Sequence, residues 1–77
     1  MTQTQTASAS VAVTVNGERR EVEPRTTLAQ LLRALDLDPR MIVVERNREI
    51  LRDRDAFEAL PLEDGDVLEL VHFVGGG

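Results

Sequence analysis

"LEDGDVLELVHFVGGG", residues 62–77, reads as a turn, a strand and a glycine tail. In EDGD, Gly65 is free to take the left-handed backbone conformation that a tight turn requires. Residues 67–73 then alternate. Leu68 and Leu70 share one face, while Val67, Glu69, Val71 and Phe73 share the other. Leucines on one side of a strand need an apolar surface to lie on, and the chain supplies it upstream. In TTLAQLLRALDL, Leu28, Leu31, Leu32 and Leu35 recur at i, i+3, i+4 and i+7, the spacing of one apolar helix face. Thr27 followed by Gln30 fits a capping box at the start of that helix. Asp36 stands where a glycine usually ends a helix, and Pro39 prevents continuation.

Working outward, VAVTVNGERREVE opens with Val11, Val13 and Val15 alternating with Ala12 and Thr14. Asn16-Gly17 follows, the strongest short-range hairpin signal there is. The return strand, about 19–23, is polar except for Val22, which places it near a sheet edge. MIVVE, residues 41–45, is a short run rich in β-branched residues and reads as an interior strand. The charge-dense segment after it predicts a short strand at 49–51 and a turn or single helical turn near 55–60. Residues 1–10 contain no large apolar side chain and predict a disordered leader, so the expected divisions are 1–10, a folded domain at 11–74 and a flexible tail at 75–77. The order ββαβ(β)β predicts an α+β fold: a mixed four- or five-stranded sheet packed on one α-helix, with the first and last strands parallel neighbours at its centre. That arrangement resembles the β-grasp fold of ubiquitin-like proteins.

Composition narrows function. The chain has 77 residues, room for one domain, and contains no cysteine and one histidine. A thiolate nucleophile, a cysteine metal cluster and a serine–histidine catalytic set are therefore excluded or unsupported, and no catalytic residue is assigned. A formal net charge of -5 and only two aromatic residues argue against a nucleic-acid partner. No apolar run is long enough to span a bilayer, and residues 1–10 lack the pattern of a signal peptide, so a cytoplasmic location is expected. Asp53 with Asp55, and Glu63 with Asp64 and Asp66, are carboxylate groups that lack the spacing of a calcium loop. They read as solvated turn charges, no metal site is assigned, and His72 receives no chemical role.

The glycine tail remains. Without Cβ atoms it can enter a channel too narrow for other residues and lie against a phosphate. Its terminal carboxylate is a poor electrophile and needs activation. Acyl-adenylation by ATP supplies that, after which a sulfur donor can displace AMP and leave a thiocarboxylate. All nine basic residues are arginine. With neither lysine nor cysteine, the chain offers no side chain to capture its own activated terminus, since arginine is a very poor nucleophile.

Three segments, VTVNGE at 13–18, TTLAQLLRALDLDP at 26–39 and LEDGDVLELVHFVGGG at 62–77, carry a resemblance to the ThiS-type sulfur carriers of thiamine biosynthesis. The resemblance implies a protein cosubstrate and not an enzyme. Gly77 would be adenylated by an E1-like, ThiF-type enzyme using ATP and converted to a thiocarboxylate with sulfur that comes indirectly from a cysteine desulfurase. The sulfur would then pass to a ThiG-type thiazole synthase. Gly75 and Gly76 would be the leash threading the partner active site, and no cofactor would be permanently bound. Val67, Val71, Phe73 and Val74, exposed beside that tail, are the expected docking patch for partner enzymes. Alternatives with the same terminus are the small subunit of molybdopterin synthase, a ubiquitin-like modifier of lysines, and an interaction module with an inert tail. Two departures from the family pattern fall in turns: Asp36 replaces a common glycine, and Asn47-Arg48 replaces a common asparagine-glycine, predicting a looser or longer hairpin there. The leader has no counterpart.

Overall fold

A computed structural model of the chain describes residues 10–73. The expected leader apart from Ser10, together with Val74, Gly75, Gly76 and Gly77, lies outside the described residues. Strand β1 (Val11–Val15) turns through Asn16 and Gly17, at φ 49° and 84°, into β2 (Glu18–Val22). Val15 pairs with Glu18, so the connection is a two-residue turn with both central residues left-handed, as the twist of the strands favours. Helix α1 (Leu28–Ala34) follows. The capping box forms: the Thr27 hydroxyl accepts from the Gln30 N–H at 3.2 Å, and the Gln30 side chain accepts from the Thr27 N–H at 2.9 Å. Leu28, Leu31 and Leu32 are buried, while Leu35, the fourth member of the stripe, caps the helix and packs at the margin of the core.

Asp36 takes the left-handed conformation, φ 63°, and the helix closes around it. Its N–H donates to Arg33 O at 3.0 Å, and that of Leu37 donates to Leu32 O at 2.9 Å. This is the Schellman pairing that glycine ordinarily accommodates. A 3-10 turn (Pro39–Met41) leads into β3 (Ile42–Arg46), which pairs with β4 (Glu49–Leu51). A second 3-10 helix (Arg54–Ala59) and the Gly65 turn, φ 91°, lead to β5 (Val67–His72).

The sheet order is β2-β1-β5-β3-β4. β5 lies at the centre, parallel to β1 and antiparallel to β3. Leu28 and Leu32 from the helix meet Val13, Ile42, Val44 and Leu68 from the sheet as the most completely buried side chains. The five strands and one helix are the expected arrangement, and Phe57 from the second 3-10 helix closes one side of the core.

The β3–β4 hairpin differs from the expectation of a loose or long turn. Asn47 and Arg48 sit at φ 51° and 74°, and Arg46 pairs with Glu49. The turn is therefore as tight as the first, held in register by the Asn47 side chain described below, and Arg48 bears the backbone strain that glycine would avoid. Both left-handed positions yield one prediction. Asp36→Gly and Arg48→Gly should each raise stability by about 1 kcal/mol, or roughly 4–8 °C in melting temperature, readable by thermal unfolding. No downward shift is expected, because a left-handed backbone costs a side chain more than the added freedom of glycine costs the folded state.

Candidate functional site

The two faces of β5 are chemically distinct. Leu68 is buried against the helix and Leu70 partly so, whereas Val67, Val71 and Phe73 are 44%, 60% and 46% exposed on the helix-free face. The sequence reading of this strand therefore holds for these five residues. Val74, the fourth member of the expected patch, and the glycines lie beyond the described residues.

The β3 register extends the patch in a way the strand alone did not reveal. Val43 stands opposite Val71, Glu45 opposite Glu69, and Ile50 of β4 opposite Glu45. Met41 accepts the Phe73 N–H through its carbonyl at 2.9 Å, and the side chains of Met41 and Ile50 are each 44% exposed. The helix-free face thus carries an apolar strip along β5 and β3, interrupted by two facing glutamates that enter no ion pair among the described residues. Like charges directly opposite one another cost a few tenths of a kcal/mol, so this pairing is not a stabilising device of the sheet. Met41 and Val43 escaped the sequence reading because an apolar run of four residues looks the same whether one face or both are covered, and Ile50 because it is an isolated apolar residue in a charge-dense segment.

The start of β5 is fixed by a buried carboxylate. Asp66, read from sequence as a solvated turn charge, is 5% exposed. One oxygen accepts from the Arg46 guanidinium at 3.0 and 2.9 Å and from the Glu63 N–H at 2.9 Å. The other accepts from the Asn47 amide at 3.1 Å, while the Asn47 side-chain oxygen accepts from the Val67 N–H at 2.9 Å. Burial pushes the Asp66 carboxyl up, but these hydrogen bonds and the arginine charge together outweigh it and hold the group below its usual range. Asp64 is also committed, accepting the Ala12 N–H at 2.8 Å. The acidic turn is consumed in joining β1, the β3–β4 turn and β5, and no group of three or more potential metal ligands occurs among the described residues.

Asn16 plays the corresponding part on the other edge of β5. β1 pairs with β5 only at Thr14 with Val67 and Val15 with Leu68. Beyond that point the Asn16 side chain takes over, accepting from Leu70 N–H at 2.7 Å and donating to Leu70 O at 3.2 Å. At the far end, Arg54 donates to Pro39 O at 2.9 Å and Ile42 O at 3.1 Å, with its guanidinium carbon 5.8 Å from the centre of the Phe73 ring. Nothing in RDRDAF distinguishes Arg54 from Arg52, so its role becomes visible only in the fold. His72 is exposed opposite Ile42 and belongs to no cluster of potential metal ligands among the described residues. No helix among them is long and apolar enough to cross a membrane.

Comparison with known proteins agrees with this geometry. Residues 13–77 match the sequence profile of the ThiS family. The sulfur carrier protein ThiS of Bacillus subtilis is 43% identical over 51 residues, covering 66% of this chain and 76% of that protein. A thiazole synthase of Magnetococcus marinus is 41% identical over 63 residues, which is 82% of this chain but 19% of that protein, so the chain spans only a small part of this relative. Among solved structures, the crystal structure of the thiamine biosynthesis protein ThiS from Geobacter metallireducens superposes with a TM-score of 0.69 at 36% identity, covering 87% of this chain and 100% of that one. The five-stranded mixed sheet on one helix matches the fold of the Geobacter protein, and the chain belongs to the ThiS family of sulfur carriers.

Proposed function

We propose that this chain is the protein cosubstrate that carries sulfur to thiazole formation in thiamine biosynthesis, with Gly77 as the residue modified. The observation that carries the reading is the apolar strip of β5 and β3, exposed through Val67, Val71, Phe73 and Met41, which runs to the last described residue before the glycine tail. The thiazole synthase relatives support the recipient: a segment like this chain lies within their own polypeptide.

In this reading an E1-like adenylyltransferase binds the strip and draws Gly75, Gly76 and Gly77 into its active site. The Gly77 carboxylate attacks the α-phosphorus of ATP, pyrophosphate leaves, and an acyl-adenylate forms. A protein persulfide charged by a cysteine desulfurase attacks the acyl carbon and displaces AMP to give an acyl disulfide, and a thiol then cleaves its S–S bond, becoming a disulfide itself and releasing a terminal thiocarboxylate whose sulfur is used by a thiazole synthase. ATP belongs to the activating enzyme, and the carrier supplies the acyl group, the leash and the docking face without itself catalysing a step. The partner surface that fits is apolar with a guanidinium or ammonium near Glu45 and Glu69. In this reading the chain works in the cytoplasm, and its partners are proteins.

The test is mass spectrometry of the full chain after incubation with ATP, the E1-like enzyme of the same organism and a sulfur source. The expected product has one oxygen exchanged for sulfur, localised to Gly77. Isopeptide adducts on lysines of other proteins, or an unchanged terminus with an enzyme that activates its own carrier, would overturn the reading.

A further inference from the structure

We propose that Arg54 is a positioning residue for the reacting terminus, holding the root of the tail at a fixed point on the sheet. The inference rests on the reading of Gly77 as the loaded residue. Three carbonyls at the entrance to β3 converge on this corner. Those of Pro39 and Ile42 accept from the Arg54 guanidinium, at 2.9 and 3.1 Å, and that of Met41 accepts from the Phe73 N–H at 2.9 Å. The same guanidinium lies 5.8 Å from the Phe73 ring centre. Arg54 thus ties the second 3-10 helix to the residues on which Phe73 is hung, and braces the Phe73 ring as well.

Phe73 lies just beyond β5 and has the last backbone hydrogen bond described before the tail. Four extended residues reach at most about 13–14 Å. With so short a leash, a displaced root changes how far the carboxylate can reach, and misplacement of a reacting group by about 1 Å can cost on the order of a hundredfold in rate. The planar fork of arginine suits this corner because it donates in two directions while presenting a face to the ring. Lysine would keep the charge but not the fork. Phe73 is itself part of the exposed strip, so Arg54 acts through a docking residue without lying among the apolar residues that make the strip.

The experiment is steady-state adenylation of the full chain by the E1-like enzyme, read as ATP–pyrophosphate exchange, for wild type, Arg54→Ala and Arg54→Lys. Thermal unfolding establishes that each variant is folded at the assay temperature, and Arg54→Lys keeps the test available if Arg54→Ala is not. The expected result is a roughly tenfold fall in kcat with KM for the carrier within about twofold of wild type. Amide relaxation should show faster motion at Phe73 in the same variants. A merely structural brace would lower the folded fraction, scale the effective carrier concentration and so raise apparent KM at constant kcat. Unchanged kcat in the folded variants, with or without a rise in KM, overturns the proposal while leaving the carrier reading intact. Failure of wild type itself to be adenylated would instead overturn that reading.

Discussion

Asp66→Ala is expected to destabilise the domain by about 3–5 kcal/mol, the usual consequence of removing one member of a buried, hydrogen-bonded ion pair. The loss is large because the carboxylate has several dependants. Without it the Arg46 guanidinium, the Glu63 N–H and the Asn47 amide all lose an acceptor in a region where water is a poor substitute. A domain of this size has a total stability of only about 4–10 kcal/mol, so the substitution removes a large fraction of it. Chemical denaturation followed by circular dichroism measures the effect. Adding Asp36→Gly and Arg48→Gly supplies a stabilised background if the single variant has no folded baseline. A loss below about 1 kcal/mol would mean that the network is replaceable by solvent.

The same residue gives the acid limb of stability its sign. Its folded-state pKa lies below the ordinary value of 3.8, so the unfolded chain binds the proton more readily than the folded one. The contribution of Asp66 is therefore complete above about pH 5 and is lost as pH falls through 3.8 towards the folded value. Asp66→Ala in the stabilised background should show a shallower fall in denaturation midpoint across that window than the same background with Asp66 present.

Val71→Asp is the change expected to affect partner engagement most. Val71 is the most exposed of the large apolar residues, so its replacement should cost about 1 kcal/mol or less in stability, chiefly through weaker strand propensity. In the proposed complex the new carboxylate would be desolvated at the centre of the strip, near Glu69 and opposite Val43. A hot-spot loss of about 3 kcal/mol corresponds to roughly a hundredfold rise in KM for the carrier in adenylation. Phe73→Ala should act in the same direction more weakly. A KM within threefold of wild type for Val71→Asp would remove the β5 strip from the docking surface.

How far sequence alone reached depends on how local each device is. The first hairpin is written in Asn16-Gly17 and the helix in four leucines with a Thr27–Gln30 cap. Neighbouring residues settle each of these, and both formed as read. The exposed apolar face was half legible, since the period of β5 separates Val67, Val71 and Phe73 from Leu68 and Leu70, while Met41, Val43 and Ile50 join them only through the neighbouring segments that the fold brings alongside. Asp66 and Arg54 were misjudged or overlooked for a related reason. Both lie in runs of mixed charge, and their partners, Arg46 and Asn47 for the first, Pro39, Ile42 and Phe73 for the second, come from distant segments. The tight Asn47-Arg48 turn belongs with them, because it is the Asn47 amide, bonded to Asp66 and Val67, that keeps a non-glycine residue in its left-handed place.

The central place of β5 has a consequence for how the domain folds. Its pairing partners β1 and β3 both precede it in the chain, and between them lies a gap that only β5 fills. The sheet closes only when β5 has joined both neighbours, so folding waits on contacts between distant segments instead of local pairs. Until then the chain lacks the centre of its sheet and the exposed apolar face together, so surface and fold arise in one step.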